Sequence, residues 1–183
     1  TTLTSLTLNS GVTSIGLRSF QNLGITTVTI PSTVTSMDIT SFANNSNLTS
    51  AIINSTVVGI TAFYNSPLLS TVTLSNNLLS IGANSFQDTS LSSIVFDSAS
   101  SITDIPQRCF ALSWENNRTV TTLTLPEAVQ TFGQESFFSA GIQTLAIPNT
   151  TTTINISAFY GQRLATSAGA DPALDWTDAV RRG

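Results

Sequence analysis

Residues 25–47 read ITTVTIPSTVTSMDITSFANNSN, and the order of apolar residues in that stretch decides the fold. Ile25, Val28 and Ile30 occupy the first, fourth and sixth places of a short β-branched run, and Pro31 ends it. Val34 and Met37 make a second apolar step, and Ser41-Phe42 closes the unit. β-Branched residues in such a run favour a strand whose apolar side chains share one face. A strand this short cannot bury that face alone, so it requires neighbours of the same kind.

The neighbours are present. The pattern apolar-x-x-apolar-x-apolar recurs from Leu3, Ile25, Leu48, Leu69, Leu91, Val120 and Ile142, at spacings of 22, 23, 21, 22, 29 and 22 residues. A Phe follows at Phe20, Phe42, Phe63, Phe86, Phe110, Phe137 and Phe159. Each is preceded by a small residue: Ser19, Ser41, Ala62, Ser85, Cys109, Ser136 or Ala158. A small side chain there lets one coil approach the next, while the Phe fills the space between them. The first, fourth and sixth residues of each run are expected to point inward. Stacked parallel strands about 4.8 Å apart then build a sheet roughly 30 Å across. The Ser-x-x-Phe stretch is expected to form a helical turn or short 3₁₀ segment on the opposite side.

The best copies, residues 25–47, 69–90 and 120–141, carry the unit Leu-Thr-x-Val-Thr-Ile-Pro-x-x-Val-Thr-x-Ile-x-x-x-Ser/Ala-Phe, which resembles the BspA-like (Treponema-type) leucine-rich repeat. The resemblance spans Leu3 to about Gln162. It implies a right-handed leucine-rich-repeat solenoid of seven repeats, with a parallel β-sheet on one face and short helical, 3₁₀ or irregular segments opposite. That family occurs in surface proteins of bacteria and protists, which implies adhesion or recognition. The family often carries Gly-Cys after the Phe, whereas this chain has Asn, Phe, Tyr or Gln nearby.

Composition excludes several functions. The 183 residues include 30 Thr and 26 Ser, no Lys and no His, with 9% charged residues and a net charge of −4. An acidic chain lacks the basic face that nucleic acid requires. Zero histidines remove the Ser-His-Asp triad, the Cys-His pair and the commonest zinc ligand. The ten carboxylates are scattered and none is expected at an outward strand position, so no catalytic residue, cofactor or metal is expected, Asp97 and Asp104 included. Cys109, in the small-residue slot, reads as a buried and inert thiol. No apolar run approaches the roughly 18–20 residues that span a bilayer. No initiator Met or signal peptide opens the chain, which therefore reads as a processed product or an excised piece.

The sheet's open face is the candidate ligand surface, expected to present Thr27, Thr29, Thr71, Thr73, Thr122 and Thr124 and no charge. Two readings stand: a recognition face for an uncharged protein or glycan, or Thr ladders that merely support parallel strands. Repeat five is enlarged, and its 111–119 insert, with Trp114, is expected to form a loop that either covers local core or aids recognition. Sequons at Asn44, Asn47, Asn54, Asn117, Asn149 and Asn155 are glycosylation candidates and fit an extracellular or cell-surface location. Residues 1–162 form the solenoid domain, and residues 163–183 are expected to be a C-terminal cap or docking segment. Asp171-Pro172 would open a short helix to Arg181 carrying Ala173, Trp176 and Val180 on one stripe. The expected function is a non-enzymatic adhesion or recognition module. The alternative is a structural subunit that joins copies of itself end to end into a filament or sheath, through Leu3, Leu6 and Leu8 at one end and Leu174, Trp176 and Val180 at the other.

Overall fold

The computed structural model describes residues 3–112 and 120–162. The chain is a parallel β-solenoid of about six turns, and no helix occurs among the described residues. Five of the seven apolar runs form the main sheet: β2 (Thr27–Ile30), β4 (Ser50–Ile53), β6 (Thr71–Leu74), β8 (Ser93–Phe96) and β10 (Thr122–Thr124). They pair in parallel in chain order, with Thr27, Ser50, Thr71, Ser93 and Thr122 in one column. The 29-residue fifth repeat therefore keeps the strand register across its insert. The runs at Leu3–Leu8 and Ile142–Ile147 take no strand pairing among the described residues.

Inward and outward places fall as the pattern requires. Ile25, Val28 and Ile30 are buried, as are Leu69, Val72 and Leu74, while Thr29 and Thr73 face solvent. A second ladder, which the sequence pattern did not reveal, forms at the Val/Leu-x-x-Ile step. Its strands are β1 (Ser14–Ile15), β3 (Ser36–Met37), β5 (Val57–Val58), β7 (Ser80–Ile81), β9 (Asp104–Ile105), β11 (Thr131–Phe132) and β12 (Thr153–Ile154). They pair as β1-β3, β5-β7 and β9-β11-β12. Coils approach so closely beyond this ladder that a Cβ on Gly82 would lie 2.4 Å from the Ile60 nitrogen.

The third side corrects the expectation of a helical turn. The residue two before each Phe, and the residue two after each but Phe110, adopts left-handed backbone, as at Arg18 and Asn22 around Phe20 and at Thr61 and Asn65 around Phe63. This alternation points successive amides along the solenoid axis: the N–H groups of Arg18, Phe20 and Asn22 donate to the carbonyls of Ile39, Ser41 and Ala43 one coil on. A helix would have turned those donors back on its own chain. Asn and Asp tolerate this backbone best among non-glycine residues, which accounts for Asn22, Asn44, Asn65 and Asp88.

Behind these turns the seven Phe rings form one continuous stack. Neighbouring centroids lie 5.0–5.5 Å apart from Phe20 through Phe42, Phe63, Phe86, Phe110 and Phe137 to Phe159. Phe63 and Phe110, displaced by two residues in sequence, join the column because the adjoining loops absorb the difference. Each such pair contributes about 0.5–1.5 kcal/mol beyond its burial.

Candidate functional site

The main sheet carries hydroxyls in three columns, and the structure divides them by role. Second-place residues are bound into the fold: both the amide and the hydroxyl of Thr49 donate to the Thr26 carbonyl, the hydroxyl at 3.0 Å. Ser70 does the same to Thr49, Ser92 to Ser70, and Thr121 to Ser92. This column is a ladder of doubled donors that stitches coils together.

The third and fifth places behave differently. Thr27, Thr29, Ser50, Thr71, Thr73, Ser93 and Thr122 point away from the core and make no side-chain hydrogen bond with a described residue. Ser50 and Ser93 complete the column that Thr27, Thr71 and Thr122 begin. Thr124 is engaged differently. Its Oγ1 accepts from the Phe96 amide at 3.1 Å and donates to the Phe96 carbonyl at 3.2 Å, so its hydroxyl ties off the end of β10. Ile52 and Val95 interrupt the fifth-place column, and no charged side chain stands on this face.

Charge is confined to other sides. Asp104 lies outward on β9, against the expectation that no carboxylate occupies an outward strand place, and accepts from the Thr103 hydroxyl at 2.7 Å. On the turn side the Arg108 Nε donates to the Glu135 Oε2 at 2.5 Å across adjacent coils, the one ion pair among the described residues. The hydrogen bond from Arg108 holds the Glu135 carboxyl below the usual range, and the same contact raises the Arg108 guanidinium. Burial, reinforced by Asp88, raises the Tyr64 phenol. Phe138 and Tyr160 stack at 5.6 Å, also on the turn side, so the aromatic surface is separate from the hydroxyl face. Cys109 is fully buried, which pushes its thiol well above its ordinary pKa. No group of three or more His, Cys, Asp or Glu is placed to hold a metal among the described residues.

The sequons sort by environment. Asn47, Asn149 and Asn155 are exposed. Asn44 is half-buried and its Oδ1 accepts from the Asn65 carboxamide at 2.8 Å, while the Asn155 Nδ2 donates to the Phe132 carbonyl at 3.0 Å. Asn54 is half-buried. Of the assembly candidates, Leu3 is exposed, while Leu6 and Leu8 pack partly on the core. Trp114, Asn117, Leu174, Trp176, Val180 and the expected helix lie outside the described residues.

Repeat length, inward triad and Phe column define a leucine-rich-repeat solenoid. The family model for the BspA type leucine rich repeat region matches residues 1–114 and 53–166 in six copies, and the chain belongs to that family. A leucine rich cell surface protein from Faecalibacterium prausnitzii A2-165 is similar at 18% identity and a TM-score of 0.36, over 85% of this chain and 54% of that one. A leucine-rich repeat protein from Bacteroides ovatus is similar at 17% identity and a TM-score of 0.40, over 87% of this chain and 64% of that one. The chain thus spans between 54% and 64% of the lengths of these proteins. No curated protein matches it.

Proposed function

We propose that this chain is a cell-surface recognition or adhesion module that binds an uncharged protein or glycan surface through its main sheet. The observation that carries the reading is the division of hydroxyls: those of Thr49, Ser70, Ser92 and Thr121 are consumed by the fold, whereas the third-place groups and the fifth-place Thr29 and Thr73 are left free in register. Unpartnered hydroxyls on a rigid, charge-free face give many weak, neutral hydrogen bonds without an ordering cost at each contact. Asn47 and Asn149, exposed and without the carboxamide hydrogen bond that holds Asn155, are the described sequons best placed for glycans. The test is a glycan-array and matrix-protein binding screen with the native chain and a Thr27→Lys/Thr73→Lys variant. Loss of binding with unchanged thermal unfolding supports the reading; a ligand retained by the variant overturns it.

A structural role through end-to-end contact has one observation in its favour. Leu3 at one end and Ile147 and Ile154 at the other are exposed, although their counterparts in middle coils are buried. Light scattering would then show a mass that grows with concentration.

A further inference from the structure

The outward face of the main sheet repeats every two coils, not every one. Thr27 and Thr29 on β2, Thr71 and Thr73 on β6, and Thr122 and Thr124 on β10 give alternate coils two threonines each. Ser50 and Ile52 on β4, and Ser93 and Val95 on β8, give the coils between them a serine and an aliphatic. Strand register sets them in line: Ile52 lies between Thr29 and Thr73, and Val95 between Thr73 and Thr124. The third-place column therefore reads Thr-Ser-Thr-Ser-Thr, while the fifth-place column alternates hydroxyl with aliphatic. Thr124 spends its hydroxyl on Phe96, so the free fifth-place pattern runs over two periods, from Thr29 to Val95.

The fold does not call for this alternation. Thr meets the strand preference of an outward place as well as Ile or Val does. Ile52 is nonetheless 43% exposed, flanked by the free hydroxyls of Thr29 and Thr73.

The two-coil period selects among ligands. Coils lie about 4.8 Å apart, so two of them repeat at about 9.6 Å along the solenoid axis. An extended peptide laid along that axis repeats every two residues, at about 6.8 Å, and falls out of step. A polyproline helix repeats at about 9.3 Å but docks in aromatic-lined grooves. This face carries no aromatic side chain. A β-1,4-linked glycan ribbon turns each ring over relative to the last, and so repeats every two rings at close to the two-coil distance. Its rings carry hydroxyls at their edges and C–H groups on their faces.

We propose that the main sheet binds a neutral β-1,4-linked glycan ribbon lying along the solenoid axis, one ring to a coil. Ile52 and Val95 meet the C–H groups of every second ring, and the Thr29 and Thr73 hydroxyls bond to the rings between. The inference rests on the recognition reading of this face given above and names its ligand class. With no charged side chain on the face, nothing there pairs with a uronate or sulfate, so the ribbon is neutral. The five paired strands span about 19 Å, which about four or five rings would fill.

Calorimetric titration of the full chain with chito- and cello-oligosaccharides, from the disaccharide to the hexasaccharide, tests this. Maltohexaose and laminarihexaose, whose linkages give no two-fold ribbon, are the controls. One β-1,4 series is expected to bind, with affinity that rises with length and levels at about four or five rings. The controls should bind weaker by roughly tenfold or more. Ile52→Thr/Val95→Thr makes every coil alike and should weaken the β-1,4 ligand roughly tenfold, with thermal unfolding as the check on folding. Failure of both series to bind, equal binding of the controls, preference for a polyproline peptide, or indifference to Ile52→Thr/Val95→Thr would overturn the ligand class. Another neutral ligand lost with Thr27→Lys/Thr73→Lys would then leave the recognition reading standing. Binding of a β-1,4 series that survives Thr27→Lys/Thr73→Lys would overturn both, because the glycan would sit elsewhere.

Discussion

The Asn45 carboxamide bridges two coils: its Nδ2 donates to the Phe20 carbonyl one coil away at 2.9 Å and to the Phe42 carbonyl of its own turn at 2.7 Å. Its Oδ1 accepts from the Leu23 amide at 2.8 Å. Three backbone groups at the exit of the first two Phe turns thus depend on one buried side chain. Gln162 repeats the device at the far end, on the Phe137 carbonyl and the Ile142 amide. Asn45→Ala leaves those groups without a partner and is expected to cost about 2–3 kcal/mol. Equilibrium urea unfolding of the variant measures this, and a loss under about 0.5 kcal/mol would show that water replaces the carboxamide.

The slot before each Phe tolerates a hydroxyl unevenly. The Oγ atoms of Ser41 and Ser136 are buried with no hydrogen-bond partner, whereas the Ser85 Oγ donates to the Gly59 carbonyl at 3.0 Å. Ala62 and Ala158 fill the same slot without difficulty. Ser41→Ala and Ser136→Ala are therefore expected to stabilise the chain by up to about 1 kcal/mol each, and Ser85→Ala to destabilise it by a similar amount. Thermal unfolding of the three variants decides the matter by the sign of the shift.

Much of this architecture was legible before any coordinates. The inward triad and the Phe column follow from apolar spacing, because each is a side-chain choice repeated seven times, and the outward places follow from the triad. The second ladder was not legible: its strands are two residues long, too short for an alternation to register. The Phe turns read as helical because Ser-x-x-Phe has helical spacing. The contrary signal was Asn at the second place after Phe, in Asn22, Asn44 and Asn65, a residue suited to left-handed backbone where the resembled family often carries Gly. The roles of the hydroxyl columns were also hidden. Thr49 and Thr27 are chemically identical, and only the stacking of coils decides which faces a carbonyl and which faces solvent.

That difference is measurable. Thr49→Val keeps the shape and β propensity of the side chain and removes the hydroxyl donor to the Thr26 carbonyl. It is expected to cost about 0.5–1.5 kcal/mol, the range of one net hydrogen bond. Thr27→Val removes an outward hydroxyl with no described partner and is expected to leave stability within about 0.5 kcal/mol. Chemical unfolding of the pair checks the assignment; equal losses in both would erase the distinction between structural and free columns.

Stability should fall at both ends of the pH range, for separate reasons. The Glu135 carboxyl is held below its ordinary pKa by Arg108, so the folded state binds fewer protons than the unfolded chain through the carboxylate range. Its contribution is present above the unfolded carboxylate pKa and is lost as pH falls through the folded value. Because the pair is partly exposed, the loss stays within about 0.2–1 kcal/mol and shrinks with added salt. Cys109 acts in the opposite direction: burial keeps its thiol protonated in the folded state, while the unfolded chain ionises near pH 8.5. Above that pH the unfolded state binds fewer protons, and stability declines with rising pH. Glu135→Gln should flatten the acid limb alone and Cys109→Ala the alkaline limb alone, as measured by urea midpoints across pH. A thiol reagent should likewise modify Cys109 only at the rate of opening, and prompt reaction in the native state would contradict its burial behind the Phe column.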